Sequence, residues 1–575
     1  MLGRQYISSS LNAFHRRISF KFISVSPRRF AMTTIAVLNE ADLKDGQLKE
    51  VEFGEGGKVL LSKLGDKIHA TSAFCTHYGA PLAKGVLTAD GRVTCPWHGA
   101  CFNVCTGDIE DAPAPDAIHS FKVEVSGGKI HVTADPKATL KENKSRTPTI
   151  RGETASKSAG PGVVIVGGGA GGFQTAESLR ENGYSGKITI LSQEDYAPID
   201  RTKLSKALIT DASKLQWRTP EQLRTKFGVD LKTGVTVDSL DLETKQVIAG
   251  NSRVPYETLV LAPGATPRRL PIDGANLENV FTLRTIPDAA KIDAAVKEGK
   301  RLVVIGSSFI SMELVAAVTS RNLLSIDVIG MEEHPFEAVL GKEIGKALQK
   351  FHESKGVKFH MQAKVDKIVP KSADSNAVGA VQIPGKSLPA DVVIMGVGVG
   401  PATSFLKDSG ISLEKDGGVK VDEYLKVIGF SDIYAIGDIA HYPQHGTEDV
   451  RRVEHWNVAS NHGRAVGKTI AGQPQPFVKV PIFWSAQGSQ LRYCGIGAGF
   501  DDVIVDGNLD ELKFAAYYAK KGKVIAVISI QKDPIVAQSA ELLRLGLMPS
   551  VAEIRAGKSP LDVDISTEAS KPVVA

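Results

Sequence analysis

The chain changes its hydrophobic rhythm at residue 136 and again at residue 161. From about residue 33 to 135, apolar residues fall in short runs between Gly and Asp turns. These runs are Lys58–Ser62, Lys67–Thr71, Arg92–Cys95, Phe121–Val125 and Lys129–Thr133. They predict the strands of a small all-β domain. Residues 136–160 are rich in Lys, Thr, Ser and Pro with almost no large apolar residue, and predict a flexible linker. The period then lengthens. Pro161–Val166 is an apolar run, Phe173–Asn182 has helical amphipathic spacing, and Lys187–Leu191 is a further strand. A similar series begins at Leu302–Ile305 and continues at Ser325–Ile329. Strands alternating with helices predict parallel α/β sheets. No run of about 18 apolar residues occurs, so no membrane-spanning helix is expected.

Two segments of the β region carry chemistry. Cys75-Thr76-His77 and Cys95-Pro96-Trp97-His98 each offer one thiolate and one imidazole, with 17 residues between His77 and Cys95. Cys75, His77, Cys95 and His98 make the ligand set of a Rieske [2Fe–2S] cluster, in which two Cys hold one iron and two His the other. Two Cys and two His also suffice for a tetrahedral zinc site. Each loop, however, mixes one Cys with one His, and Gly79 and Gly99 follow. Cys-Pro-Trp-His-Gly-Ala-Cys-Phe, with Thr106-Gly107-Asp108 beyond it, resembles Rieske domains of the ferredoxin and oxygenase type. The resemblance spans about residues 33–135 and implies an electron carrier. Respiratory-complex Rieske proteins carry a further, disulfide-linked Cys in each loop, and those positions here are Ala80 and Trp97. That contrast implies a potential near the low end of the Rieske range, roughly −150 mV. Cys101 and Cys105 are read as packing residues on a strand.

Composition adds compartment and charge. The length of 575 residues allows three or four domains. Five Cys in so long a chain speak for a reducing compartment rather than a disulfide scaffold. Residues 1–31 hold Arg4, Arg16, Arg17, Lys21, Arg28 and Arg29 and no acid, with Leu11, Phe14, Ile18 and Phe22 at helical spacing. This is the composition of a mitochondrial presequence, and Arg28-Arg29-Phe30 resembles a matrix-protease site. A start at Met32 would instead give a cytosolic form. The formal net charge of +5 belongs to this leader, so it indicates no nucleic-acid partner.

The second half carries nucleotide chemistry. Gly167-Gly168-Gly169-Ala170-Gly171-Gly172 follows the strand and opens the helix. Gly167 serves the turn, Gly169 the close approach of a pyrophosphate beside Ala170, and Gly172 helix–strand packing. Glu194 stands where a ribose-binding acid belongs. The second loop, Gly306-Ser307-Ser308-Phe309-Ile310-Ser311, is degenerate. Its following strand leads into Gly330-Met331-Glu332-Glu333. Glu332 is the candidate ribose acid, although the usual acidic position is Gly330. With no Arg cluster nearby, the acids favour NADH over NADPH.

Leu259–Pro267, Gly396–Pro401 and Ile433–Asp438 resemble segments of the two-dinucleotide-fold flavoprotein reductases, whose acid, Asp438 here, binds the flavin ribityl chain. No Cys lies between Cys105 and Cys494, which excludes a thiol–disulfide relay. Asp200-Arg201-Thr202-Lys203-Leu204-Ser205-Lys206 is similar to a segment of ferredoxin reductases and of the apoptosis-inducing factor family. The resemblance implies that Arg201 and Arg284 contact FAD phosphates. It also places Lys206 at the flavin ring, paired with Glu313 as the candidate catalytic pair. Val453–Asn457 and Pro481–Ser485 imply Glu454 at the nicotinamide amide, with His455 and Trp484 beside the flavin.

A Rieske domain ahead of such a reductase resembles the Rieske-bearing type of the apoptosis-inducing factor family. The expected fold is an all-β Rieske domain followed by an α/β two-dinucleotide-fold reductase with an α+β C-terminal domain. The expected division is presequence 1–31, Rieske domain 33–135, linker 136–160, FAD domain 161–284 with 417–480, NAD(H) domain 285–416 and C-terminal domain 481–575. The expected cofactors are FAD, a [2Fe–2S] cluster and NAD(H). NADH or NADPH would be the donor and a redox protein a candidate acceptor. Two alternatives stay open: a redox-responsive, apoptosis-related protein with little turnover, and the reductase component of a Rieske oxygenase system.

Overall fold

The computed structural model describes residues 32–152 and 160–567. The presequence reading falls on residues 1–31 and lies outside them. The first domain is built from two antiparallel sheets. Six strands run in the order Thr33–Asn39, Lys129–Ala134, Ser120–Ser126, Lys67–Ser72, Gly57–Leu64 and Leu48–Phe53. The smaller sheet holds Val86–Thr88, Arg92–Thr94, Cys101–Asn103 and Ile109–Asp111. Alternation along these strands turns Leu60, Val93 and Phe102 inward, each at most 1% exposed, and their contacts fix the small sheet.

Two parallel sheets follow. The first is ordered Val229–Lys232, Ile188–Leu191, Val163–Val166, Thr258–Leu261 and Ile433–Ala435. The second runs Val280–Phe281, Val392–Met395, Arg301–Ile305, Ser325–Ile329 and Val357–His360. Their central strands are apolar without alternation, because both faces are covered; on the second sheet helices cover one face and the antiparallel strands Lys367–Pro370, Val378–Ile383 and Lys386–Pro389 the other. An antiparallel sheet of five strands, beginning at Ile482–Ala486, completes the chain with the helix Ile535–Leu545 packed on it. Among the described residues no helix is long and apolar enough to cross a membrane.

The expected flexible linker is corrected over residues 136–152. Ser145–Arg146 pairs with Ala117–Ile118, Thr139 is buried, and Arg146 and Arg151 both hold Asp108, at 2.6 and 3.0 Å. Composition misled because the segment is ordered by hydrogen bonds and ion pairs rather than by apolar burial.

Buried charges clamp the first domain onto the reductase. Arg218 donates to the Glu177 carboxyl and pairs with Asp116, each at 2.8 Å, and donates to the Pro115 carbonyl. Arg464 pairs with Glu181 at 2.8 Å and donates to the Ile109 carbonyl. Asp111 sits between Arg92 and Lys479, and burial is outweighed by these two cations, which hold its carboxyl well below the usual range. Removing one partner of such a buried pair typically costs about 3–5 kcal/mol. The clamp therefore fixes one orientation of the two halves.

Candidate active site

The four cluster-ligand candidates sit on two loops shaped alike. Cys75 N–H donates to the Ala80 carbonyl and Cys95 N–H to the Ala100 carbonyl, closing each loop around its Cys and His. Gly79 and Gly99 adopt positive φ, 75° and 71°, which a side chain rarely accepts. The ligands come together by type. The Nδ1 atoms of His77 and His98 face one another at 3.0 Å, and the thiols of Cys75 and Cys95 are both buried beside each other. Among the described residues no three metal-binding groups converge on one point. Paired donors, two thiols and two imidazoles, suit a two-iron cluster with two ligands on each iron better than one tetrahedral ion. Burial pushes His77 down to about 4 and His98 well below the ordinary value, where the neighbouring His77 adds to the effect. Both rings are therefore neutral, the form that donates a lone pair to a metal.

A cavity of ≈ 1640 Å³ runs from these imidazoles to the second parallel sheet. At one end Gly167, Gly169 and Ala170 line it. A Cβ on Gly167 would strike the Ala262 carbonyl, and one on Gly172 the Gly167 carbonyl, so these glycines permit close packing. A Cβ on Gly169 would meet open space instead. That opening, before the helix Ala170–Glu181, fits a pyrophosphate on free backbone N–H groups. Glu194 and Arg201 form a bidentate pair at 2.7 Å beside it. Arg201 also donates to the Arg284 carbonyl, and Arg284 Nη2 reaches Asp438 at 2.9 Å. The cradle fits an extended dinucleotide with a charged middle.

At the centre, Lys206 Nζ lies 2.8 Å from Glu313, which also accepts from the hydroxyls of Ser205 and Ser485. Trp484 spans the gap between the two halves. Its ring centroid is 4.7 Å from Lys206 Nζ and 4.7 Å from the His98 ring. His455 caps the helix Trp456–Ile470 by accepting from Asn457 N–H, and its ring packs on Phe483. Burial, aided by the Lys206 charge, pushes His455 down to about 3, so it is neutral. Glu454 lines the cavity and pairs with Arg452 at 2.8 Å.

The structure thus brings twelve of the sequence-derived cofactor-site residues to the cavity and leaves three outside its lining. Gly172 lies behind the loop. Gly306, on the second loop, is outside the lining as well, while its neighbours Ser308 to Ser311 contribute. Glu332 is exposed on the rim of the second sheet. A Cβ at Gly330 would meet the side-chain ends of Met361 and Ser307. Sequence reading missed Tyr78, Trp217 and Trp456. Tyr78 stacks on His77 with centroids 3.9 Å apart, Trp217 lies 6.2 Å from His77, and Trp456 5.9 Å from Trp217. The Tyr between His77 and Gly79 was the one signal available for this set.

Comparison with known proteins agrees with this geometry. Residues 33–122 match the Rieske [2Fe-2S] domain, 161–463 the pyridine nucleotide-disulphide oxidoreductase family, and 482–562 the reductase C-terminal family. Human apoptosis-inducing factor 3 is 40% identical over 518 residues, covering 89% of this chain and 84% of that one. Rhodocoxin reductase of Rhodococcus erythropolis is 32% identical over 397 residues, 68% of this chain and 91% of its own. The solved putidaredoxin reductase–putidaredoxin complex aligns with a TM-score of 0.63 and 28% identity, covering 68% of this chain and 94% of that one. The fold is an N-terminal Rieske domain, an α/β dinucleotide-binding reductase and a C-terminal reductase domain. Its cofactors are FAD, a [2Fe–2S] cluster and NAD(H). The chain belongs to the pyridine nucleotide-disulphide oxidoreductase family, as an NAD(P)H-dependent flavoprotein reductase that carries its own Rieske domain.

Proposed function

We propose that the chain passes electrons from NADH inward, through the flavin site, to the Rieske site and then to an outside redox protein. The observation that carries this is Trp484, whose ring touches both the His98 ring and the Lys206 ammonium group. FAD supplies hydride acceptance and the cluster one-electron transfer. The chain's own residues supply position and field. Lys206, held by Glu313, places a positive charge where the ring gains negative charge. Gly169 leaves the pyrophosphate its space, and Arg201 and Arg284 supply cations. The neutral rings of His77 and His98, which line the cavity, would hold one iron of the cluster.

The test is an anaerobic titration with NADH and with NADPH, following flavin absorbance and the cluster EPR signal together. Bleaching of the flavin and a Rieske-type signal on NADH addition is the expected result. A signal that NADH does not elicit would remove the internal path. The titration also decides between NADH and NADPH, since Glu332 lies outside the cavity lining and Glu333 is paired with Lys342.

The human relative's name supports a link to cell death, and the basic leader supports a mitochondrial location. A long-lived NADH complex with slow turnover would favour a redox-sensing role; rapid multiple turnover with a ferredoxin would sink it. Activity reconstituted only with one oxygenase would favour the reductase-component reading.

A further inference from the structure

Tyr78 is the outer end of the aromatic set around the cluster loops. Its ring stacks on His77 with planes 15° apart and stands edge-on to His98 and Trp484. One face of the ring thus belongs to the ligand site, while 36% of the residue remains exposed. The imidazoles themselves face the inner cavity, where the reductase half covers them. An outside protein cannot approach along that edge. Through Tyr78 it can come within one ring of a cluster ligand.

The surroundings of Tyr78 are charged. Lys203 Nζ lies 5.3 Å from its ring centroid. Lys141 Nζ is 5.1 Å from the Phe74 ring, and its last methylene would touch a Cβ on Gly79. Lys144 Nζ donates to the Lys141 carbonyl at 3.3 Å. Two acids accompany them. Asp200 is buried, accepting from the Tyr78 hydroxyl at 2.8 Å and pairing with Lys203 at 3.6 Å. Glu142 is exposed on the turn that carries Lys141. Three ammonium groups against two carboxylates, one of them buried, leave this face positive.

We infer that Tyr78, Lys141, Lys144 and Lys203 form the port where an acidic one-electron redox protein docks and takes the electron. The inference rests on the internal path proposed above. One electron passes from the iron–sulfur site to the partner's oxidised metal centre; no bond is made or broken and no proton has to move. An exposed aromatic ringed by cations suits a short-lived contact, because the charges steer encounter and the ring sets the distance.

The test uses the full holoprotein with an acidic [2Fe–2S] ferredoxin as probe and a basic cytochrome c as the opposite charge. Calorimetry is run at low and at raised salt. Lys141→Glu combined with Lys203→Glu is expected to weaken ferredoxin binding by about tenfold at low salt, with the difference shrinking as salt screens it. Lys141→Glu alone, which disturbs no buried pair, is expected to give a smaller loss in the same direction. Carbodiimide cross-links from ferredoxin carboxylates should map to Lys141 or Lys144. The NADH-elicited cluster signal should persist in both variants. Unchanged ferredoxin affinity in a variant that keeps that signal, or tighter binding of the cytochrome than of the ferredoxin by the wild-type chain at low salt, would overturn the port alone. A wild-type chain whose cluster NADH does not reduce would overturn the internal path, and the port with it.

Discussion

The rings of His98 and Trp484 lie 4.7 Å apart and are tilted by 39°. Trp484 belongs to the C-terminal sheet and His98 to the first domain, so this contact joins the two halves. Trp484→Ala should slow NADH-driven reduction of the cluster by roughly ten- to a hundredfold, as small losses of placement do. Flavin bleaching by NADH should be unchanged. Stopped-flow absorbance with freeze-quench EPR separates the two steps, and equal slowing of both would contradict the assignment.

Lys206 and Glu313 differ in how their loss is felt. Glu313→Ala leaves a buried ammonium facing Ser205 and Ser485, and should destabilise the chain by about 3–5 kcal/mol in urea unfolding. Lys206→Met keeps the two hydroxyl bonds to Glu313 and should cost less. It should slow flavin reduction nonetheless, because the positive charge at the ring is gone.

Gly169 offers a test of the dinucleotide cradle. Since a Cβ there meets no protein atom, Gly169→Val should fold with wild-type melting behaviour in the apo form. The added side chain occupies the pyrophosphate's space, so the purified protein should lack bound flavin while keeping its iron. Normal flavin content would show that the phosphate lies elsewhere.

Glu177 makes the interface sensitive to pH. Burial, partly offset by Arg218, raises it from 4.5 to about 8. The folded chain therefore holds a proton that the unfolded chain releases between those values. Stability from this group is complete below about 4.5 and is lost as pH rises through about 8. Glu177→Gln should flatten that part of the stability curve, by a few kcal/mol across the window. Urea midpoints measured from pH 5 to 9 would show it, and parallel curves for the two proteins would contradict it.

Much of this was legible in the sequence because it depends on short segments. A Cys–His loop or a strand–glycine–helix turn carries its geometry within a dozen residues. The docking of the halves was not legible. Arg464 meets the Ile109 carbonyl across 355 residues and Arg218 meets Asp116 across 102, and nothing local to either marks the pairing. The segment 136–152 read as flexible because its order comes from Arg146 and Arg151 on Asp108, which leave no apolar signature. Glu332 was named from its spacing after the second loop, and in the structure it is exposed and outside the cavity lining.

The ion pairs of Arg218, Arg464 and Lys479 also set a kinetic order. Where donor and carrier are separate molecules, their meeting depends on how much of each is present. Here the two are one body, so the inner hop is first-order in the chain, and dilution leaves its rate untouched. Dilution slows only the final encounter with the acceptor. Few copies of the chain would stay fully charged with electrons, and the supply of acceptor would govern the flow.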